Sequence, residues 1–461
     1  MRMSTAADLL EQDFATISQL IAAHAIERPD AVAIVDESGS IDWRSFDALI
    51  DRIAARLQHD GLKPGDAVAI VGVNAIPYAA AYFGALRAGG VAALLTSSAT
   101  AAAQAAMIAD CGSRQLFADS TVALDTPEGV TRVALDEGAP GTPLADWIAP
   151  EGTKPAAAAV APGDPFNIIY SSGTTGAPKG IVQSHAMRWS HIQRGLPLGY
   201  APDAVTINST PLYSNTTLVS FLPTIAAGGK VVLMRKFDAQ RFLELSQREG
   251  VTHAMLVPVQ YRRLMMHPDF DSFDLSAYRM KTCTSAPFPA ELKADVLRRW
   301  PGALIEIYGM TEGGAATLLL AHKFPDKLHT VGQPAPGNEI RLIDEDGREV
   351  AAGGVGEVVG RGPAMMSGYH NRAEASAAAE WFDGEGRRYI RHGDIGRFDE
   401  DGFLILMDRA KDLIISGGFN IYPSDLEAVL LAEPGVSDAA VVGVAHPEWG
   451  ETPVGFVVVK D

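Results

Sequence analysis

Residues 170–180 read YSSGTTGAPKG: three glycines, two serines, two threonines and one lysine in eleven positions. Glycines let backbone N–H groups converge on an anion, the hydroxyls add donors, and Lys179 adds a positive charge. That set suits the tail of a triphosphate. It departs from the common nucleotide loop G-x-x-x-x-G-K-[ST], because Gly180 stands where Ser or Thr is required. The plainer reading is a flexible turn between strands, and a lysine held between Pro178 and Gly180 argues against it. A second cluster, YGMTE at 308–312, follows an apolar run at 304–307. Doubly wound sheets bind ligands at such strand ends. Glu312 alone reads as a solvated loop acid, and its place beyond an apolar strand and downstream of the glycine loop favours a site residue. Three further stretches carry mixed chemistry: HGDIG at 392–396, DRAKD at 408–412 and SGGFN at 416–420.

The elements that must position these groups alternate. Apolar positions at helical spacing predict one helix over 6–27, a second over 41–57 and a third over 76–88. Short apolar runs at 31–35, 67–73 and 91–95 predict strands between them, and 166–169 leads into the glycine loop. The alternation predicts a parallel sheet covered on both faces. Residues 140–165 are rich in Pro and Ala and are expected to be a surface connection. Beyond the loop, helices are expected at 184–195, 211–222, 239–249 and 289–299, with strands at 205–208, 231–234, 254–257, 281–285 and 304–307. A last helix is expected over 424–431 with Ser424 as its N-cap, followed by strands at 439–444 and 454–459.

At 461 residues, with 47% hydrophobic and 20% charged residues, the chain is globular and long enough for two or more domains. A net charge of −18 argues against a nucleic-acid surface or an anionic membrane. Acidic residues interrupt the N-terminus where an export signal would need an apolar core, and no apolar window approaches a membrane span. Two cysteines, Cys111 and Cys283, suggest no disulfide framework and fit a reducing cytoplasm.

The motifs, taken in order, resemble those of the adenylate-forming superfamily of the acyl- and aryl-CoA synthetase type, and the likeness runs through most of the chain. The resemblance implies an α/β fold. A large N-terminal domain (1–410) of stacked, mostly parallel sheets with helices and a small β-rich subdomain precedes a small α+β C-terminal domain (411–461, incomplete). It implies ATP, Mg2+ and CoA, a small carboxylic acid as substrate, and no nucleic-acid or membrane partner; a homodimer is one open assembly. By resemblance, Ser171, Ser172, Gly173, Thr174, Thr175, Gly176 and Lys179 hold phosphates. Ser285, Ala286 and Pro287 lie beside the adenine, Tyr308 stacks on it, and Gly309 and Thr311 follow. Lys179, Thr311 and Glu312 are the catalytic set, with Glu312 and Thr175 on the metal. Asp394 and Arg409 reach the ribose, whose vicinal diol needs paired acceptors such as an ionised carboxylate supplies. A surface ion pair is the bland reading of those two. Lys411 is the hinge, and Gly417, Gly418 and Phe419 line the CoA tunnel.

An acyl pocket is expected from Tyr213, Asn215, Leu218, Gly309, Gly313, Gly314 and Ala315, with Phe221 and Leu318 adding apolar surface and the small residues leaving room. The implied reaction is ligation of a hydrophobic, aromatic acid to CoA through an acyl-adenylate. A medium-chain fatty acid, a luciferase-like oxygenation and a non-catalytic nucleotide-binding relative are the alternatives. Three departures stand out: Ser214 where relatives often carry histidine, His392 where Thr or Ser is usual, and Phe419 where many carry Glu. The Pro-Lys-Thr-x-x-Gly-Lys type loop of relatives does not occur before Asp461, so adenylation by this chain is expected to be impaired.

Overall fold

The computed structural model describes residues 4–171, 178–409, 412, 414–416, 419–421, 423–446 and 450–460. Among them the chain builds four sheets. The first has eight strands in the spatial order Gly368–Tyr369, Lys179–Ser184, Pro165–Ser171, Val91–Leu94, Ala67–Val71, Gln115–Ala118, Thr131–Ala134 and Thr142–Pro143. The second has nine: Gln333–Pro334, Thr317–Leu320, Ala303–Tyr308, Met280–Cys283, His253–Leu256, Val205–Asn208, Lys230–Leu233, Val32–Asp36 and Gly39–Asp42. Their centres are parallel. The reason lies in the sequence: AVAIV at 67–71 and VAAL at 91–94 are buried at every position, as strands covered on both faces must be. The helix Trp43–His59 shows the complementary pattern. Trp43, Phe46, Ile50, Ile53 and Leu57 form its buried stripe, and Asp42 caps its start by accepting from the Ser45 N–H.

A five-stranded antiparallel sheet follows, built from Glu339–Ile343, Gly356–Arg361, Arg388–Phe398, Glu380–Phe382 and Leu404–Arg409. This is the small β-rich unit expected. The fourth sheet, from Ile414–Ser416, Phe419–Ile421, Val436–His446 and Gly450–Val459, is carried with the helix Pro423–Leu431 by the C-terminal residues. No helix among the described residues is long and apolar enough to cross a membrane.

Several expectations need correction. The single helix over 6–27 is two, Ala6–Leu10 and Ile17–Glu27, because Thr5 and Thr16 each make a capping box, with Asp8 and Gln19. The helix expected to end at residue 222 runs Asn215–Ala226 through Pro223, its start capped in backbone form by Ser214 with no side-chain bond. Ser424 lies inside the last helix, one residue past Pro423, which opens it. Sequence reading also missed the helix Ala101–Cys111 and the strands Gln115–Ala118 and Thr131–Ala134.

The flanks of the glycine loop, Pro165–Ser171 and Lys179–Ser184, pair antiparallel, with Ser171 opposite Lys179 and Tyr170 opposite Gly180. This register explains Gly180. A Cβ there would stand 2.8 Å from Ile168 Cγ2 and 3.1 Å from the Tyr170 ring, so Ser or Thr after the lysine would have to displace those side chains. Gly180→Ser is expected to destabilise the chain by about 1–3 kcal/mol, the range for overpacking a filled site. Chemical unfolding of the two chains measures it.

Candidate active site

Lys179 and Glu312 come together through a residue that sequence reading missed. The two-residue strand Gly368–Tyr369 pairs with the hairpin, Tyr369 opposite Ile181. The Lys179 Nζ lies 5.4 Å from the centre of the Tyr369 ring, and the Tyr369 hydroxyl donates to Glu312 Oε1 at 2.8 Å. One aromatic ring therefore joins the cation and the carboxylate. Burial, and after it the Glu312 charge, pushes the Tyr369 phenol well above its ordinary range, so it stays a donor. The turn after Tyr369 is anchored: His370 N–H donates to Gly180 O at 2.7 Å, Asn371 (φ +52°) donates from Nδ2 to Asp110 O, and Arg372 pairs with Asp110. Asp110 also accepts from the Tyr170 hydroxyl at 2.9 Å.

Glu312 and Thr311 follow the strand Ala303–Tyr308 of the second sheet, and their backbone is fastened to the first. Gln183 Nε2 donates to Thr311 O at 2.6 Å, and Met366 N–H donates to Glu312 O at 2.8 Å. Neither the second carboxylate oxygen of Glu312 nor the Thr311 hydroxyl has a hydrogen-bond partner among the described residues. Both remain available to a ligand.

The third sheet contributes from the other side. The Tyr308 hydroxyl donates to Asp394 Oδ2 at 2.7 Å, and His392 Nδ1 lies 3.0 Å from the same hydroxyl. A phenol has one proton. With it given to Asp394, His392 must carry hydrogen on Nδ1 and donate to the phenol oxygen. This gives the histidine at an unusual position a function: it orients Tyr308. Asp394 sits directly opposite Arg409 in the antiparallel pairing of Arg388–Phe398 with Leu404–Arg409.

Ser285, Ala286 and Pro287 form an exposed corner after the strand Met280–Cys283. Ser285 has φ +80°, and its hydroxyl is 2.7 Å from that of Thr216, which ties the corner to the 213–216 segment. Tyr213 and Asn215 are half-buried there. Leu218 and Phe221 are not pocket residues: both have no exposed surface and belong to the largest core cluster, Phe221 stacked on Phe83. Gly313 and Gly314 are small for packing, not to leave room. A Cβ on Gly313 would come within 2.0 Å of Ala364 O, and one on Gly314 within 2.9 Å of Gly360 O. Ala315 is buried against Gly360, while Gly309 has ordinary clearance and Leu318 is half-buried. Ser172, Gly173, Thr174, Thr175, Gly176, Lys411, Gly417 and Gly418 lie outside the described residues, while Ser171, Arg409 and Phe419 sit in strands.

Comparison with known proteins sets the class and then the family. Among solved structures, the amide bond synthetase McbA from Marinactinospora thermotolerans superposes with a TM-score of 0.85 at 30% identity, covering 96% of this chain and 89% of its own. Feruloyl-CoA synthase of an Amycolatopsis species is 33% identical over 441 residues, 94% of this chain and 86% of the relative. Indoleacetate–CoA ligase of Aromatoleum aromaticum is 32% identical over 465 residues, 96% and 88%. The family model described as AMP-binding enzyme matches residues 21–370, and that of the AMP-binding enzyme C-terminal domain matches 425–461. The chain belongs to this adenylate-forming superfamily, as a member of the AMP-forming acid–CoA ligase family of acyl/aryl-CoA synthetase type.

Proposed function

We propose that this chain activates an aromatic carboxylic acid with ATP and passes the acyl group to CoA. The observation that carries the reading is the Tyr369 bridge between Lys179 and Glu312, with the Tyr308–Asp394 bond starting four residues before Glu312 along the chain. A carboxylate oxygen attacks the α-phosphorus, the bond to pyrophosphate breaks, and an acyl-adenylate remains. The CoA thiolate then attacks the acyl carbon and AMP leaves. For the first step the chain has only to position reactants and neutralise charge. Lys179 and the 171–176 loop hold the phosphate tail, and Thr311 donates to the α-phosphate. Asp394 accepts from the ribose hydroxyls together with Arg409, and Tyr308 is held rigid for the base by Asp394 and His392. Ser285, Ala286 and Pro287 border the adenine.

Mg2+ fits this donor set. Glu312 keeps one carboxylate oxygen without a partner among the described residues, and magnesium is commonly held by one or two carboxylates plus substrate phosphates. Glu312, with Thr175, would hold it, and bound there it would offset the negative charge of the phosphates. We take residues 1–410 and 411–461 as two domains, with Lys411 the pivot that brings Gly417, Gly418 and Phe419 to the site for CoA. Feruloyl- and indoleacetate-CoA ligases among the relatives are in keeping with an aromatic acid, and a fatty acid–[acyl-carrier-protein] ligase at 32% identity keeps the fatty acid as the alternative. The likeness to an amide bond synthetase supports a second reading of the last step alone, with an amine as acceptor. The two cysteines, free and buried, are in keeping with a cytoplasmic enzyme.

The test is ATP–pyrophosphate exchange with a panel of aryl and alkyl acids, followed by CoA or an amine as acceptor. Acid-dependent exchange and a CoA thioester are expected. Exchange with no acid would overturn the reading in favour of a non-catalytic nucleotide binder. Oxygen uptake without thioester would favour the luciferase-like alternative.

A further inference from the structure

Behind the segment 213–216 lies a buried cation. Arg188, on the helix His185–Gly195, is 1% exposed, and every side chain it bonds among the described residues is neutral. Its Nε donates to Asn167 Oδ1 at 2.8 Å, its Nη1 to Asn215 Oδ1 at 2.8 Å and to His191 Nδ1 at 3.2 Å, and its Nη2 to Gln183 Oε1. Burial and the adjacent guanidinium push His191 well below its ordinary range, which keeps its Nδ1 lone pair available.

A guanidinium has donors and no acceptor, so each amide facing it must present oxygen. The NH2 groups therefore point elsewhere. Asn167 donates its own to Gln183 Oε1 at 2.9 Å, and Gln183 donates its own to Thr311 O at 2.6 Å. The NH2 of Asn215 has no partner among the described residues, on a half-buried residue that opens the helix Asn215–Ala226.

We infer that the Asn215 NH2, fixed in direction by Arg188, is a specificity-determining donor that selects acids whose distal substituent carries an acceptor oxygen. Ether, carbonyl and phenolic oxygens qualify; a hydrocarbon substituent of the same size leaves the amide without its bond. The inference rests on the ligase reading above. Arg188 is a positioning residue, acting through Asn215. Its charge, one hydrogen bond behind the amide, polarises the N–H groups toward an acceptor.

The experiment uses the best acid of the exchange panel in two matched forms, for example a methoxy and an ethyl substituent at the same ring position. The wild-type chain is expected to favour the oxygen-bearing form by about fivefold to tenfold in kcat/KM, the worth of one neutral hydrogen bond. In Asn215→Leu the ratio should fall to about one, the change borne by KM of the methoxy acid. In Asn215→Asp the new carboxylate pairs with Arg188 and can only accept, so the preference should reverse. A merely structural network would lower activity on both acids alike and leave the ratio intact. An unchanged ratio in both variants, or a wild-type chain that favours the ethyl form, overturns the inference while the ligase reading stands. A wild-type chain that exchanges with no acid overturns both.

Discussion

Glu312→Gln is expected to lower the rate of acid-dependent ATP–pyrophosphate exchange by about 10²–10³, the effect of removing one preorganised electrostatic contact from a reacting centre. The substitution keeps the size of the side chain and an oxygen for the Tyr369 hydroxyl, which now donates to Oε1 at 2.8 Å. What it removes is charge, on the oxygen proposed to face a cation. The backbone at this position is held independently, by Met366 N–H on the Glu312 carbonyl and by the Gln183 bond to Thr311. The loop should therefore keep its place, and unfolding of the variant should match the parent. The Mg2+ concentration for half-maximal exchange should rise, a readout separate from rate. Exchange within threefold of the parent at every Mg2+ concentration would remove Glu312 from its proposed role.

Lys293→Met is expected to cost about 3–5 kcal/mol of stability, because it strands a buried charge. Lys293, on the helix Ala290–Arg299, forms an ion pair with Glu306 at 2% and 6% side-chain exposure and also donates to the carbonyls of Leu328 and Thr330. Burial pushes the Glu306 carboxyl up to about 7 from its ordinary 4.5, against the opposing pull of Lys293. An acid whose folded-state pKa is raised contributes its stability below the unfolded value, and that contribution is lost as pH rises through the folded value. Wild-type stability should thus decline from this group across about pH 4.5 to 7. Without Lys293 the folded-state carboxyl rises further, so the decline should continue to higher pH and the deficit should shrink toward pH 5. Adding Glu306→Gln to Lys293→Met should restore much of the loss and flatten the pH dependence. Urea unfolding at pH 5 and 8 measures all three chains, and an equal deficit at both pH values would contradict the account.

The parallel centres of both large sheets were legible because fully buried strands leave continuous apolar runs, as at 67–71 and 91–94. The helix over 239–249 was legible to the residue, since Asp238 caps it and Gly250 ends it in the left-handed region. The break between Leu10 and Ile17 was hidden because Phe14 continues the apolar period, while the Thr16–Gln19 box that restarts the helix is a hydrogen-bond signal. The Tyr369–Glu312 bond was not legible at all. Its partners are 57 residues apart, and a two-residue strand carries no periodicity from which its register could be read. Small residues at 313–314 looked like space for a ligand. Whether a glycine adjoins a cavity or a carbonyl depends on a neighbour fifty positions away, here Ala364 and Gly360.

The rims of the two large sheets bear on how so long a chain avoids association with its own copies while folding. A sheet edge is a row of unpaired amides ready to template another strand. Here three of the four rims are strands of two residues, Gly368–Tyr369, Thr142–Pro143 and Gln333–Pro334, and two of these end in proline, which has no N–H to donate. A stray strand arriving at such a border finds a foothold of one or two bonds, too short to recruit a second chain. The tyrosine that joins Lys179 to Glu312 thus also closes one border of its sheet.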